Sequence, residues 1–156
     1  MALKPDRNIV DDSVSYFIPA ITYGGDRGGV VVATGATPSG AAMDQTVNGA
    51  WYAATASGKA PIGMLMNDVV DIDLTRQVLN PYKSEALIGD KGSIMRKGWA
   101  VTDMVDTTTG TVTVGATAYV GPSGKITADS SEGHPQVGKF LSGIDEDGYF
   151  KIYIDL

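Results

Sequence analysis

The run Tyr149-Phe150-Lys151-Ile152-Tyr153-Ile154 decides the fold class. Phe150, Ile152 and Ile154 fall on one parity, and Tyr149, Lys151 and Tyr153 on the other. This is the period of a strand with one face in a core and one in solvent. Just upstream, Asp145-Glu146-Asp147-Gly148 is a turn, and before it Val137-Gly138-Lys139-Phe140-Leu141 reads as the partner strand. Gly121-Pro122-Ser123-Gly124 forces a hairpin-like turn between Gly115–Val120 and a return strand that begins at Lys125-Ile126-Thr127.

The same texture extends back through the chain. Thr111-Val112-Thr113-Val114 alternates, and Ser93 to Val105 reads as a strand or a pair of strands. Glu85 to Ile88 and Pro61 to Met66 are further strands. Val70, Ile72 and Leu74 alternate with Asp71 and Asp73. Val30-Val31-Val32-Ala33 is short and wholly apolar, and Val14, Tyr16 and Ile18 share a parity that Pro19 ends. Some ten short strands with turn signals between them suit a sandwich or barrel. Pro61–Met66 and Gln136–Leu141 echo each other, each an apolar strand with an internal Gly. A short helix has room only at Ser84–Leu87 or Met43–Ala54. Composition agrees: the acids are 15 Asp against 3 Glu, and Gly reaches 20. Asp and Gly belong in turns, while the Val, Ile and Thr that make about a quarter of the chain belong in strands. The expectation is a mainly β protein, an antiparallel β-barrel or sandwich with an extended N-terminal arm and at most one short helix. Residues 1–12 would be the arm and residues 13–156 a single β domain.

Chemistry is narrowed by what 156 residues contain. With no Cys and one His, the chain supplies no disulfide, no thiolate nucleophile and no multi-imidazole zinc site. A net charge of −6 disfavours nucleic acid, whose phosphates need a basic surface. No apolar run is long enough to span a bilayer, and Met1–Asn8 does not read as a secretory signal. Asp145-Glu146-Asp147-Gly148 opens like a calcium loop, but position twelve is Leu156 and no helices flank it, so a hairpin turn is expected. Gly121 to Lys125 lacks the spacing of a phosphate loop. Asp71 and Asp73, with Arg76 nearby, read as a solvated strand face and His134 as a loop residue. Met64, Met66, Met95 and Met104 read as core. No catalytic residue, metal or cofactor is expected.

Ala60 to Arg76, Arg96 to Thr102, Gly115 to Thr127, Val137 to Leu141 and the Asp147-Gly148-Tyr149 turn together resemble tailed-bacteriophage capsid decoration (cement) proteins. The resemblance implies a β-barrel or sandwich without enzymatic activity, placed on the outer surface of the virion. Its partners would be the major capsid protein and itself, as a homotrimer or dimer, with no nucleic acid and no membrane. It carries no contact motif onto particular positions. Physical reasoning supplies the arm instead, with Lys4, Pro5, Asp6, Arg7 and Asn8 as the expected capsid contact and Lys4 and Arg7 meeting shell carboxylates. Deleting residues 1–12 would then abolish capsid binding and leave the oligomer folded. Two other classes stay open: a virion fibre or surface adhesion module that binds glycan or protein, and a small hydrolase using Asp71 or Asp73.

Overall fold

A computed structural model describes residues 3–18, 25–33, 49–70, 85–87 and 90–156, and among these described residues there are eleven strands. They are β1 (Leu3–Phe17), β2 (Val30–Ala33), β3 (Ala50–Trp51), β4 (Pro61–Leu65), β5 (Asp68–Val70), β6 (Glu85–Leu87), β7 (Lys91–Thr102), β8 (Thr117–Val120), β9 (Ile126–Thr127), β10 (Gln136–Phe140) and β11 (Phe150–Asp155). The fold is mainly β, an antiparallel curled sheet forming a half-barrel. The nine-stranded sheet runs β3-β2-β4-β7-β11-β10-β8-β9, with β1 on the other edge of β7. One pairing departs from the antiparallel expectation: β5 and β6 form a separate parallel pair.

β7 organises the sheet. β1 lines it from Lys91 to Thr102, while β4 takes Ile94 and Met95 and β11 takes Lys97 to Thr102. The strand therefore belongs to two half-sheets. Between them the β1 register slips at Arg96, a bulge that lets the ladder bend. Gly98 sits at the bend with φ 141°, where a Cβ would fall on the carbonyl oxygen of Ile9.

The two half-sheets differ in burial. Val30, Val32, Met64 and Met95 face one core cluster, while Val31, Leu65 and Ile94 face a second. This half is covered on both sides, which is why Val30-Val31-Val32 has no alternation. The β7–β11–β10–β8 half has one buried face. Ala100, Ile152, Ile154, Phe140, Val137 and Ala118 belong to the first cluster, while Trp99, Thr117, Lys139, Lys151 and Tyr153 beside them are exposed or half-buried. The clean period of Phe150–Ile154 records this.

Tyr52 pins the second cluster to the rest. Its ring lies where a Cβ on Gly124 would fall, so the Pro122–Gly124 3-10 turn seats directly on it. Its hydroxyl donates to the Asp26 carbonyl at 2.7 Å and accepts the Gly29 N–H at 3.2 Å. Burial pushes the phenol far above its ordinary pKa, so it stays a neutral donor. Tyr52→Phe leaves the Gly29 N–H and the Asp26 carbonyl without this partner. It is expected to cost about 1–3 kcal/mol in urea unfolding; an unchanged midpoint would mean that water replaces the hydroxyl.

The arm behaves differently from the expectation. Residues 3–12 are the first part of β1, continuous with residues 13–17 and laddered to β7. Leu3 is 2% exposed inside the main core. The expectation that residues 1–12 can be deleted without harm to the fold is therefore replaced: their deletion takes out a core side chain and half an edge strand. Thr111–Val114 also differs. It is irregular, because its backbone closes a turn from Ala116 N–H to Thr113 O rather than joining a ladder. Val112 packs on the core, but Val114 is 72% exposed. Of the alternation at Val70–Leu74 only Val70, the end of β5, is among the described residues; the rest lies outside them, as do Ser84 and Met43–Asn48 of the two candidate helices. The described remainder of those two is strand at Ala50–Trp51 and Glu85–Leu87 and irregular at Tyr52–Ala54, with no helix.

Candidate functional site

Directly opposed residues of antiparallel strands point to the same side of a sheet. Following the register across β1, β7, β11, β10 and β8 gives one row: Ile9, Trp99, Tyr153, Lys139, Thr117. The row lies on the solvent face. Ile9 is 52% exposed, Lys139 is exposed, and Trp99, Tyr153 and Thr117 are half-buried. Beside it, Lys151 holds its Nζ 3.9 Å from the centroid of the Trp99 ring, a cation–π contact. Leu141, 42% exposed, is joined to Lys151 through its N–H at 2.8 Å.

The β8–β10 register shifts between Gln136 and Gly138, and a shallow cleft opens there. It holds about 250 Å³ and is lined by Gln136, Gly138, Lys139, Tyr153 and Asp155. In the next row, Lys97 stands between Asp12 and Asp155 in the register. Lys97 Nζ is 3.6 Å from Asp155, and Arg96 is 3.9 Å from Asp12, so these charges are matched. Among the described residues, neither Lys139 nor Lys151 has a carboxylate at ion-pair distance. The free edge of β1 borders this face. No described strand pairs with it, and Ile9 to Ser13 are all exposed along it.

The residues expected to touch a capsid are distributed otherwise. Lys4 bonds Asp145 Oδ2 and Asp147 Oδ2, both at 3.3 Å, and lies 4.3 Å from the Tyr149 ring centroid. Its ammonium meets carboxylates of its own chain. Asn8 is half-buried opposite Ala100. Pro5, Asp6 and Arg7 lie in the part of β1 where Leu3 to Asn8 face only Thr102 to Ala100. Sequence reasoning missed Ile9, Trp99, Tyr153, Lys139 and Lys151. The outward parity of Lys151 and Tyr153 was readable, but their meeting with Trp99 depends on register.

The Asp145–Gly148 segment is the expected hairpin turn. Asp145 Oδ1 accepts the N–H groups of Asp147 at 3.0 Å and Tyr149 at 2.7 Å. The Tyr149 N–H, with Lys4 beyond it and slight desolvation opposing, holds the Asp145 carboxyl below its usual range. Partial desolvation draws Lys4 down, but the hydrogen bonds to Asp147 and Asp145 outweigh it and raise its pKa. Thr108 and Ser131, through their hydroxyls and N–H groups, likewise lower Asp106 and Asp129. Carboxyls with depressed folded pKa values contribute stability above the ordinary value of 3.8 and lose it as pH falls through the folded values. The melting temperature is expected to drop in that acid range, and Asp145→Asn to remove part of the drop. A level melting temperature down to well below 3.8 would show these contacts to be without effect.

The remaining candidates resolve simply. Gly121–Lys125 is a tight turn, with Gly121 N–H bonded to Lys125 O at 2.7 Å. His134 is half-buried in a loop with Nδ1 3.3 Å from Asp129 O. Met64 and Met95 are fully buried, and Met66 and Met104 pack against the two clusters. Asp71, Asp73 and Arg76 lie outside the described residues. Among the described residues, no group of three or more His, Asp and Glu converges as metal ligands would. No protein-family model matches the chain, and no curated protein matches it significantly.

Proposed function

We propose that this chain is a capsid decoration protein: it binds the major capsid protein on the outer surface of a phage head and holds the shell against internal DNA pressure. It acts by attachment, without converting a substrate, and works as a homotrimer. The observation that supports this most is the long edge of β1, unpaired among the described residues, beside a solvent-facing row of Ile9, Trp99 and Tyr153. An unpaired edge offers backbone donors and acceptors to an incoming strand. Half-exposed aromatics provide anchors for a protein interface. A contact of about 800 Å² per partner is ordinary, and linking three copies raises avidity by roughly 10²–10⁴. The sequence resemblance to cement proteins points the same way.

The test is cosedimentation of the purified chain with DNA-filled heads and with unexpanded shells. Occupancy on filled heads only is the expected result; no binding to either would overturn the reading. One observation favours the alternative of a glycan-binding surface module: Tyr153, Gln136 and Asp155 line the same small cleft. A glycan array decides it, since specific retention of a sugar would favour the module.

A further inference from the structure

We infer that the solvent face of β7, β11 and β10 is the surface that meets the partner, and that the partner presents an acidic polypeptide segment to it. The inference rests on the reading of the chain as an attachment module, but not on the shell being the partner. Its basis is a local imbalance of charge. The chain as a whole carries −6, yet Lys139 and Lys151 share this face with no carboxylate at ion-pair distance among the described residues, and Asp155, which lines the cleft with Lys139, is engaged by Lys97. Lys139 opposes Tyr153, and Lys151 precedes Tyr153 by two, so the lysines are diagonal neighbours, a relation that spans roughly 7–8 Å. Two like charges side by side invite a counter-charge, and an acidic chain had carboxylates to spare for them. It uses such carboxylates one row away, where Asp12 and Asp155 flank Lys97.

The floor beneath the lysines selects the class of ligand. Ile9, Trp99, Tyr153 and Leu141 give apolar and aromatic contact, which suits a polypeptide with mixed acidic and apolar side chains. A polyphosphate chain needs more cations than two on a net-negative protein. A stacked sugar needs an open ring face, and the Lys151 ammonium already covers one face of Trp99. The ammonium is held over the ring, so it is oriented before binding and less side-chain freedom is lost when a carboxylate arrives.

The experiment titrates the isotopically labelled full chain with three probes: a Glu/Leu-rich peptide, its Gln/Leu counterpart and a neutral oligosaccharide. The Glu/Leu peptide is expected to shift the Trp99 indole N–H and the Lys139 and Lys151 signals. Affinity should fall with salt, and by roughly tenfold or more in Lys139→Glu/Lys151→Glu. Both lysines point to solvent, and circular dichroism verifies the fold; Lys139→Ala/Lys151→Ala is the milder second variant. An equal response to the Gln/Leu peptide, a preference for the oligosaccharide, or no shift at Trp99 would overturn the inference. Heads separate the two claims. Wild type that shifts with the Glu/Leu peptide but ignores heads sustains the face and overturns the shell as partner. Undiminished head binding by the Lys139→Glu/Lys151→Glu chain, with no peptide response, does the reverse.

Discussion

Removal of residues 1–12 is expected to cost the domain most of its stability. Three losses coincide. Leu3 leaves the main core, where it is 2% exposed, and emptying a buried leucine site costs about 2–5 kcal/mol. The Lys97–Thr102 half of β7 loses β1 from one edge, so its backbone groups must turn to water. Lys4 no longer bridges to Asp145 and Asp147. Against a total of about 5–15 kcal/mol for a typical domain, this removes a large share. The shortened chain should melt far below the full one, or aggregate through the bared edge of β7. Leu3→Ala isolates the first loss. A truncated chain that melts with the full one would place residues 1–12 outside the cooperative unit. Loss of head binding after this truncation is therefore uninformative about contact unless the fold is measured alongside.

Phe140→Ala is expected to be the most damaging single core substitution. Phe140 is fully buried and meets Phe150 edge-on, with ring centroids 6.2 Å apart and planes at 67°. It belongs to the cluster that joins β10 and β11 to β7, β8 and β9. Removing such a ring costs about 3–5 kcal/mol through lost transfer energy and the cavity left behind. The edge-to-face pairing contributes about 0.5–1.5 kcal/mol beyond area, so Phe140→Leu should be markedly milder. The check is denaturant unfolding: a shift of the midpoint at constant slope is expected, and a shift of less than about 1 kcal/mol would mean the core recloses around the gap.

The strands that the sequence announces most clearly are those with one wet face. Phe150–Asp155 and Thr117–Val120 alternate because the core lies on one side of them only. Val30–Val32 is apolar throughout because it is clasped between two clusters, a position that a run of three valines suggests but does not locate. β1 is harder to read. Every residue from Ile9 to Ser13 is exposed, on both parities, so the stretch shows no alternation and its charges look like those of a loose arm. What betrays the strand is Leu3, and the depth of one leucine is invisible without its neighbours. Thr111–Val114 misleads in the opposite direction: it has strand residues but pairs with no described strand. The parallel pairing of β5 with β6 has no local signature at all.

The candidate surface is less legible still. Trp99, Tyr153 and Lys139 come from β7, β11 and β10, and only the register sets them abreast. A slip of one residue would turn every member of one strand to the other side. Composition favours a binding role over chemistry as an expectation, and it singles out no surface for that role.

The sharing of β7 between two half-sheets also sets a timetable for synthesis. One edge of its Lys97–Thr102 half awaits β11, which leaves the ribosome only after the β8–β9 hairpin and β10. Pairings so distant along the chain form slowly, so β7 spends the interval half-matched, with β1 already available to it and its other side bare. A nascent chain halted before Phe150 should therefore be cut readily by protease, and acquire resistance only once β11 has emerged.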